Sequence, residues 1–159
     1  MRSLVLLMTL ALTTIASAQS GNAVYGELGG SGGIPTVNYE RRFSPAWAGH
    51  LGLGVVSASE SGGDTDITFA IPIVASYLSH PTSNHHFEAG GGLLFVAGDA
   101  QDLSVGDDDE QISNLALTAL AGYRYQRPHG GFLFRATLTP IAFDGDILPW
   151  AGLSFGYAW

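Results

Sequence analysis

Histidines are the residues of this chain best suited to acid–base or metal chemistry. His50 lies within a predicted strand, whereas His80, His85, His86 and His129 lie at predicted turns. His85 and His86 are neighbours, so on a strand they point to opposite faces and cannot bind one metal ion together. We therefore expect the four turn histidines to be solvated, and we predict no metal site and no cofactor.

Hydrolytic chemistry needs a nucleophile with a base beside it. The chain has no cysteine, and its acidic segments at 58–65, 98–111 and 143–148 contain no histidine. We therefore predict that the protein is not an enzyme.

The most acidic run of the chain is Asp107, Asp108, Asp109 and Glu110. Carboxylates are ligands that Ca²⁺ prefers, but consecutive carboxylates lack the alternate spacing of an EF-hand loop. The run is a weak candidate cation-binding loop, and screening by solvated cations is the simpler interpretation. Divalent ions held there could also bridge to lipopolysaccharide phosphates.

Acidic residues dominate the charge of the chain. Fourteen Asp and Glu residues outnumber six basic residues, all of them arginine, which gives a formal net charge of −8. Nucleic acids and anionic surfaces both require a basic face. The charge therefore argues against a nucleic-acid partner.

The first residues have the three-part pattern of a secretory signal peptide. Arg2 is followed by an apolar run over residues 4–15 and by the small-residue tripeptide 16–18. This run is shorter than the roughly 20 residues of a spanning helix. We predict a cleaved signal peptide at 1–18 and one domain at 19–159.

The rest of the chain alternates apolar and polar residues with the two-residue period of β-strands. Soluble strands average about five or six residues, whereas tilted membrane-spanning strands need roughly nine to eleven. Pro72 falls in mid-strand and requires a bulge or a local break. The predicted strands are 22–30, 34–43, 46–57, 66–78, 85–97, 112–125, 131–142 and 149–159.

The connections alternate between short turns and longer acidic loops. The turns at 44–45 and 126–130 are short and have arginines nearby, and the turn at 79–84 is intermediate in length. Only the connection around 31–33 breaks the pattern by being tight. Outer-membrane barrels have short periplasmic turns and longer external loops. With an even strand number, both termini are expected in the periplasm.

One face of each predicted strand is apolar, which suits the lipid-facing side of a membrane barrel. Aromatic residues near the short turns would form a girdle there. The residues predicted to face lipid are Leu53, Ile71, Ile73, Leu93, Leu117, Phe134, Leu138 and Phe155.

The opposite faces carry charged residues that would point into the barrel. Buried charges are tolerated only when paired and hydrogen-bonded. We predict one charge network in the lumen, formed by Glu27, Glu40, His50, Glu88, Arg124 and Arg135.

The final residues resemble the C-terminal assembly signal of outer-membrane barrels. Phe155, Tyr157 and Trp159 alternate, and the chain given ends on an aromatic residue, although phenylalanine is usual there. The opening segments 22–27 and 38–43 resemble those of small outer-membrane proteins of the Bacteroidetes type. The whole plan is similar to eight-stranded OmpA/OmpX-type barrels.

This resemblance implies an antiparallel up-and-down transmembrane β-barrel in the bacterial outer membrane. It also implies outer-membrane lipid and lipopolysaccharide, the barrel-assembly machinery and periplasmic chaperones as partners, and a monomeric state. A structural or surface-interaction role is the leading hypothesis. The alternatives are a lipid A-modifying barrel enzyme and a soluble secreted barrel that binds a small apolar ligand.

Overall fold

The structure is a computed structural model that describes residues 20–61, 64–97, 115–143 and 145–159. The predicted signal peptide and the acidic run at 107–110 lie outside these ranges. Every regular element within them is a β-strand, so the all-β prediction is confirmed. No helix in this part of the chain is long and apolar enough to cross a membrane.

Ten strands form one antiparallel sheet. The longest of them, β3 and β4, each contain 15 residues, well above the usual length in soluble proteins. The strands are β1 (Asn22–Gly29), β2 (Thr36–Arg42), β3 (Trp47–Ser61), β4 (Asp64–Leu78), β5 (His85–Ala97), β6 (Leu115–Gln126), β7 (Gly131–Leu138), β8 (Ile141–Phe143), β9 (Asp146–Leu148) and β10 (Ala151–Ala158).

Eight of these strands close into a barrel. The sheet order is β5-β4-β3-β2-β1-β10-β7-β6, and β6 pairs back with β5. The short strands β8 and β9 form a hairpin that pairs with β6. The predicted closed eight-stranded barrel is therefore confirmed.

The register of the strands sets the tilt and width of the barrel. From Glu27, the chain of directly paired residues through β2, β3 and β4 reaches Val96 on β5. The chain of paired residues through β10, β7 and β6 reaches His86 on the same strand. This stagger of ten residues, from 86 to 96, corresponds to a strand tilt of about 40° and a radius of about 8 Å. Such a lumen is just wide enough for side chains to fill.

Apolar side chains face outward along the barrel strands. Leu53, Leu117 and Leu138 are each more than half exposed, and inward residues alternate with them. Ile71 and Phe134 lie on the same outer face but are half-buried by their neighbours. The predicted outward band is present.

Several predicted boundaries are wrong. The predicted loop at 58–65 is mostly strand, because β3 continues to Ser61 and β4 begins at Asp64. The predicted strand at 131–142 ends at Leu138, since Pro140 has no N–H to donate. The predicted loop at 143–148 contains most of the β8–β9 hairpin.

Pro72 locally breaks the ladder between β3 and β4. Pairing is absent opposite Pro72, between the Leu51–Ile73 and Gly54–Ala70 pairs. The missing N–H of proline explains this break.

The connection between β1 and β2, residues 30–35, folds into the barrel and is called the inward loop below. Ser31 is buried, and its hydroxyl lies 3.3 Å from the Thr118 hydroxyl on β6. A Cβ at Gly54 would overlap the carbonyl of Gly32, so only glycine fits against the loop there. The sequence predicted merely a tight turn.

Candidate functional site

The six residues predicted to form a lumen network are all buried inside the barrel. Each comes from a different strand, and the two-residue alternation turns every one of them inward. The end of the barrel that carries Ser20 and Trp159 is called the lower end, and the opposite end the upper end. The residues are Glu27, Glu40, His50, Glu88, Arg124 and Arg135.

Arg124 and Glu40 form a two-pronged ion pair. Arg124 Nη1 donates to Glu40 Oε2 at 2.8 Å, and Nη2 donates to Oε1 at 2.5 Å. The guanidinium also donates through Nε and Nη2 to Gln126 Oε1, the Nε bond being 2.8 Å. Planar forks of this kind are among the stronger hydrogen-bonded contacts in proteins.

Glu88 joins the two buried arginines. Its Oε2 accepts from Arg135 Nε at 2.9 Å, its Oε1 accepts from Arg135 Nη2 at 3.2 Å, and Arg124 Nη1 lies 3.6 Å from Oε1. Ser76 also donates to Oε1 at 2.8 Å. Arg124 and Arg135 are directly opposite on β6 and β7. Since like charges in such positions repel, Glu88 offsets their repulsion.

Aromatic rings stand beside this ion network. The guanidinium carbon of Arg135 lies 4.7 Å from the ring centre of Tyr25, within the range of a cation–π contact. His50 meets the same tyrosine edge-on at 6.0 Å between ring centres. His50 therefore borders the network without joining an ion pair in the described structure.

Glu27 is separate from the ion pairs. Ser154 donates to its Oε1 at 3.1 Å, and no arginine or histidine nitrogen of the described chain forms a salt bridge with it. Gly30 of the inward loop packs on this carboxylate. Of the six residues predicted for one network, Glu40, Glu88, Arg124 and Arg135 form the ion pairs. His50 and Glu27 lie beside them, with Glu27 nearer the upper end.

Sequence reasoning missed the residues that close the lower end. Gln126 Nε2 donates to the Ser20 hydroxyl at 2.8 Å, and Ser20 N donates to the Pro128 carbonyl at 2.6 Å. Arg42 Nη2 lies 3.4 Å from Gln126 Oε1. Strand alternation could have predicted that Gln126 points into the lumen, because it lies two residues after Arg124 on the same face.

His86 corrects the prediction that all four turn histidines are solvated. It is buried in the lower lumen, with Nδ1 2.8 Å from the Ser79 carbonyl and Nε2 3.4 Å from the Gln126 carbonyl. It lies two residues before Glu88 and so faces inward. His80, His85 and His129 are exposed, and His85 Nδ1 lies 2.6 Å from the Tyr123 hydroxyl.

The geometry offers little for catalysis or metal binding. Within the part of the chain that the structure describes, no serine hydroxyl bonds to a histidine ring, and no group of three His, Asp or Glu side chains is arranged for a metal ion. The candidate cation loop of Asp107, Asp108, Asp109 and Glu110 lies outside that part.

The last strand presents its aromatic residues outward. Phe155, Tyr157 and Trp159 are all exposed. Trp159 N donates to the Asn22 carbonyl at 2.9 Å, and Asn22 N donates to the Trp159 carbonyl at 3.0 Å. Exposed aromatic residues on the outer wall near the lower end also include Tyr39, Trp47, Tyr77, Phe87, Tyr123 and Phe132.

An apolar outer wall, a ring of aromatic residues and a charged, closed lumen define a class of protein. The chain is a closed eight-stranded antiparallel barrel whose polarity is the reverse of a soluble protein's. No family model matches the chain, and no curated protein sequence matches it.

Solved structures have the same architecture. The N-terminal β-barrel domain of Pseudomonas aeruginosa OprF superposes with a TM-score of 0.61 at 14% identity, over 90% of this chain and 98% of that one. The Yersinia pestis outer membrane protein Ail, solved in a phospholipid bilayer nanodisc, superposes with a TM-score of 0.55 at 16% identity, over 89% and 100%. The chain therefore has the fold of small eight-stranded outer-membrane β-barrels.

Proposed function

We propose that the protein is a barrel of the bacterial outer membrane with a structural or surface-interaction role. The observation that carries this proposal is the reversed polarity of the barrel. Large apolar side chains cover the outer wall, whereas most of the polar and charged side chains of the described barrel strands lie in the lumen beside a few apolar ones. Exposed apolar area of this extent requires lipid or a partner to cover it, and a membrane-spanning barrel meets that requirement.

The aromatic ring marks a membrane interface in this proposal, and the short turns at the same end indicate that this interface is the periplasmic one. Trp47 and Tyr77 pack edge-on at 5.6 Å on the outer wall near the lower end. Aromatic girdles lie at membrane interfaces. We infer that the lower end, which holds both described chain ends, faces the periplasm, and that outer-membrane lipid, lipopolysaccharide, the barrel-assembly machinery and periplasmic chaperones are partners of a monomer.

We further propose that the lumen is a structural plug and that the protein is not an enzyme. Inside the lumen, Arg124 pairs with Glu40 and Arg135 pairs with Glu88. A soluble barrel that binds an apolar ligand would need a predominantly apolar lumen, whereas Glu40, Glu88, Arg124 and Arg135 are buried in this one. A lipid A-modifying enzyme would need a serine, histidine and carboxylate together near the upper end.

Cell fractionation combined with heat-modifiable migration tests the proposal. The protein should fractionate with the outer membrane, and the unheated folded form should migrate differently from the boiled form in detergent gels. A soluble periplasmic protein with no such shift would refute membrane insertion. A changed lipid A mass on deletion of the gene, restored by the wild-type chain, would refute the non-enzymatic role.

A further inference from the structure

Charged residues outside the lumen are separated along the barrel axis. Arg41 and Arg127 belong to the lower end. Apart from the three buried glutamates, the described carboxyl residues belong to the upper parts of β3, β4 and β9, namely Glu60, Asp64, Asp66 and Asp146. In the part of the chain that the structure describes, the outer surface of the lower end is therefore cationic, although the whole chain is acidic.

Arg41 lies on the outer wall of the barrel. It follows the inward residue Glu40 on β2, so the two-residue alternation turns it outward, where it is partly exposed. Its side chain forms no ion pair, cation–π contact or hydrogen bond within the described ranges. The described chain therefore leaves this guanidinium free to pair with an external acceptor.

Asn22 adds further donors beside Arg41. The two residues are directly paired across β1 and β2, and both turn outward. The Tyr39 hydroxyl donates to Asn22 Oδ1 at 2.7 Å, which occupies the carbonyl oxygen of the amide. Asn22 Nδ2 has no hydrogen-bond partner among the described residues. Arg41 and Asn22 thus present only N–H donors to their surroundings.

Aromatic rings stand on both sides of these donors. On one side, Asn22 is joined to Trp159 by two backbone hydrogen bonds. On the other side, Arg41 is paired with Gly49, which has no side chain. An ideal Cβ at Gly49 would lie 3.0 Å from a ring carbon of Phe43, so the Phe43 ring lies over this position. Since Trp159 and Phe43 are both exposed, the donors lie at the level of the aromatic ring, with apolar surface beside them.

We propose that Arg41 and Asn22 bind the phosphate of an anionic phospholipid in the periplasmic leaflet, an inference that rests on the membrane insertion proposed above. A set of donors without an acceptor selects an anion, and the planar guanidinium fits two phosphate oxygens at once. The apolar outer wall above the donors suits the acyl chains of the same molecule.

The headgroup is selected by charge. A zwitterionic headgroup carries an ammonium group, and the described lower end offers no carboxyl side chain on its outer surface to pair with it. Phosphatidylglycerol has a net negative charge and a neutral glycerol group beyond the phosphate. It therefore fits these donors better than phosphatidylethanolamine does.

Native mass spectrometry of the full folded barrel in neutral detergent tests the site. With equal amounts of phosphatidylglycerol, phosphatidylethanolamine and phosphatidylcholine added, the wild-type protein should retain phosphatidylglycerol about fivefold more than either zwitterionic lipid. Arg41→Gln should abolish this preference. Arg127→Gln is the matched control, because it removes the same charge from the same end of the barrel and should keep the preference. Equal losses in both variants would overturn the site in favour of unspecific attraction.

A second variant tests the site at constant charge. Asn22→Leu removes the amide donors and should lower the preference for phosphatidylglycerol about threefold. This variant also serves if Arg41→Gln does not fold, as judged by heat-modifiable migration. An unchanged preference in folded Asn22→Leu would refute the role of Asn22.

Two further measurements separate the alternatives. Inorganic phosphate at the concentration of the lipid should not displace phosphatidylglycerol, and displacement would overturn the lipid site in favour of a free-phosphate site. Refolding into phosphatidylcholine vesicles tests membrane insertion by itself. A barrel that inserts there but shows no preference for phosphatidylglycerol would refute this inference alone, whereas a barrel that folds and stays in solution would refute the proposed membrane role.

Discussion

Glu88 is the residue on which both buried arginines depend. Its carboxylate contacts Arg135 through two hydrogen bonds and lies between Arg135 and Arg124. Glu27, by contrast, accepts one hydroxyl bond and pairs with no arginine in the described lumen. Two glutamates buried in the same lumen therefore have different energetic roles.

This difference predicts unequal effects of the same substitution. Glu88→Gln should lower the free energy of unfolding by about 3–5 kcal/mol, because it leaves two buried guanidiniums underpaired. Glu27→Gln should change it by less than about 1 kcal/mol, because the amide oxygen can still accept from Ser154. Urea unfolding in detergent or lipid vesicles measures both values. Equal losses would contradict the separation of Glu27 from the ion pairs.

Removal of Arg135 tests the network from the cationic side. Arg135→Ala leaves Glu88 with the Ser76 hydrogen bond and the longer contact to Arg124, and it also removes the cation–π contact with Tyr25. We expect a loss of about 3–5 kcal/mol in unfolding free energy. Arg127→Ala is the control, because Arg127 is exposed at a turn. Its removal should lower the free energy of unfolding by about 0.5 kcal/mol or less. Similar losses in both variants would show that the buried pair contributes nothing.

At the scale of the strand, alternation decides which side chain meets lipid. Leu138 on β7 is 65% exposed on the outer wall, whereas its neighbour Thr137 is buried in the lumen. This alternation holds along β1, β2, β6 and β10, where outward positions are exposed and inward positions are mostly buried.

A charge on the outer wall of β7 should therefore impair assembly. Leu138→Arg is expected to cost about 2–4 kcal/mol if the residue faces the middle of the bilayer. The measured quantity is the fraction of protein that migrates as the unheated folded form after refolding into lipid vesicles. His129→Arg, at an exposed lower turn, is the control and should refold normally. Normal refolding of Leu138→Arg would place the outer wall in water.

Trp159 could contribute to assembly through its aromatic side chain or through its backbone bonds, and variants can separate the two contributions. Deletion of Trp159 removes an exposed aromatic side chain and both backbone bonds to Asn22. Trp159→Ala keeps those backbone bonds, and Trp159→Phe also keeps the aromatic character. If the aromatic residue is an assembly signal, outer-membrane levels should fall in the deletion and in Trp159→Ala but not in Trp159→Phe. A defect confined to the deletion would assign the effect to barrel closure alone.

The sequence predicts the strand faces because alternation is local. The alternation within the last strand is enough to assign Phe155 and Tyr157 to the outer wall. The alternation within β5 is likewise enough to assign Glu88 to the lumen. The Glu88–Arg135 contact could not be predicted, because it depends on the stagger accumulated across three strands. The inward loop carries no signal either, since its glycines and serine are equally typical of an exposed turn. The prediction for His86 was wrong because it rested on the nearby turn. The two-residue alternation, which places His86 on the same face as Glu88, gives the correct inward position.

At the scale of the whole molecule, we propose that the side chains of the lumen exclude a wide pore. The lumen radius of about 8 Å, measured to the backbone, is occupied by side chains. Both the inward loop and the Ser20–Gln126 contact cross it. We therefore expect no continuous water-filled channel through the part of the barrel that the structure describes.

Planar-bilayer recordings test this conclusion. The purified protein should show no large, steady single-channel conductance, and Arg135→Ala should not create one, because the lower closure does not depend on Arg135. A Ser31→Ala variant with unchanged conductance would agree with closure at the lower end. Steady conductance of porin size from the wild-type protein would contradict the plugged lumen.

The placement of buried charges also affects which strand registers are favourable when the barrel forms. Five of the eight barrel strands, β1, β2, β5, β6 and β7, carry a buried inward glutamate or arginine. A strand that paired one residue out of step would turn its whole inward face outward. In a bilayer each such error would expose a glutamate or an arginine to lipid tails, where charge is strongly disfavoured. In the proposed membrane barrel, the lumen charges would therefore disfavour misaligned strand pairing, whatever they contribute to the stability of the correct barrel.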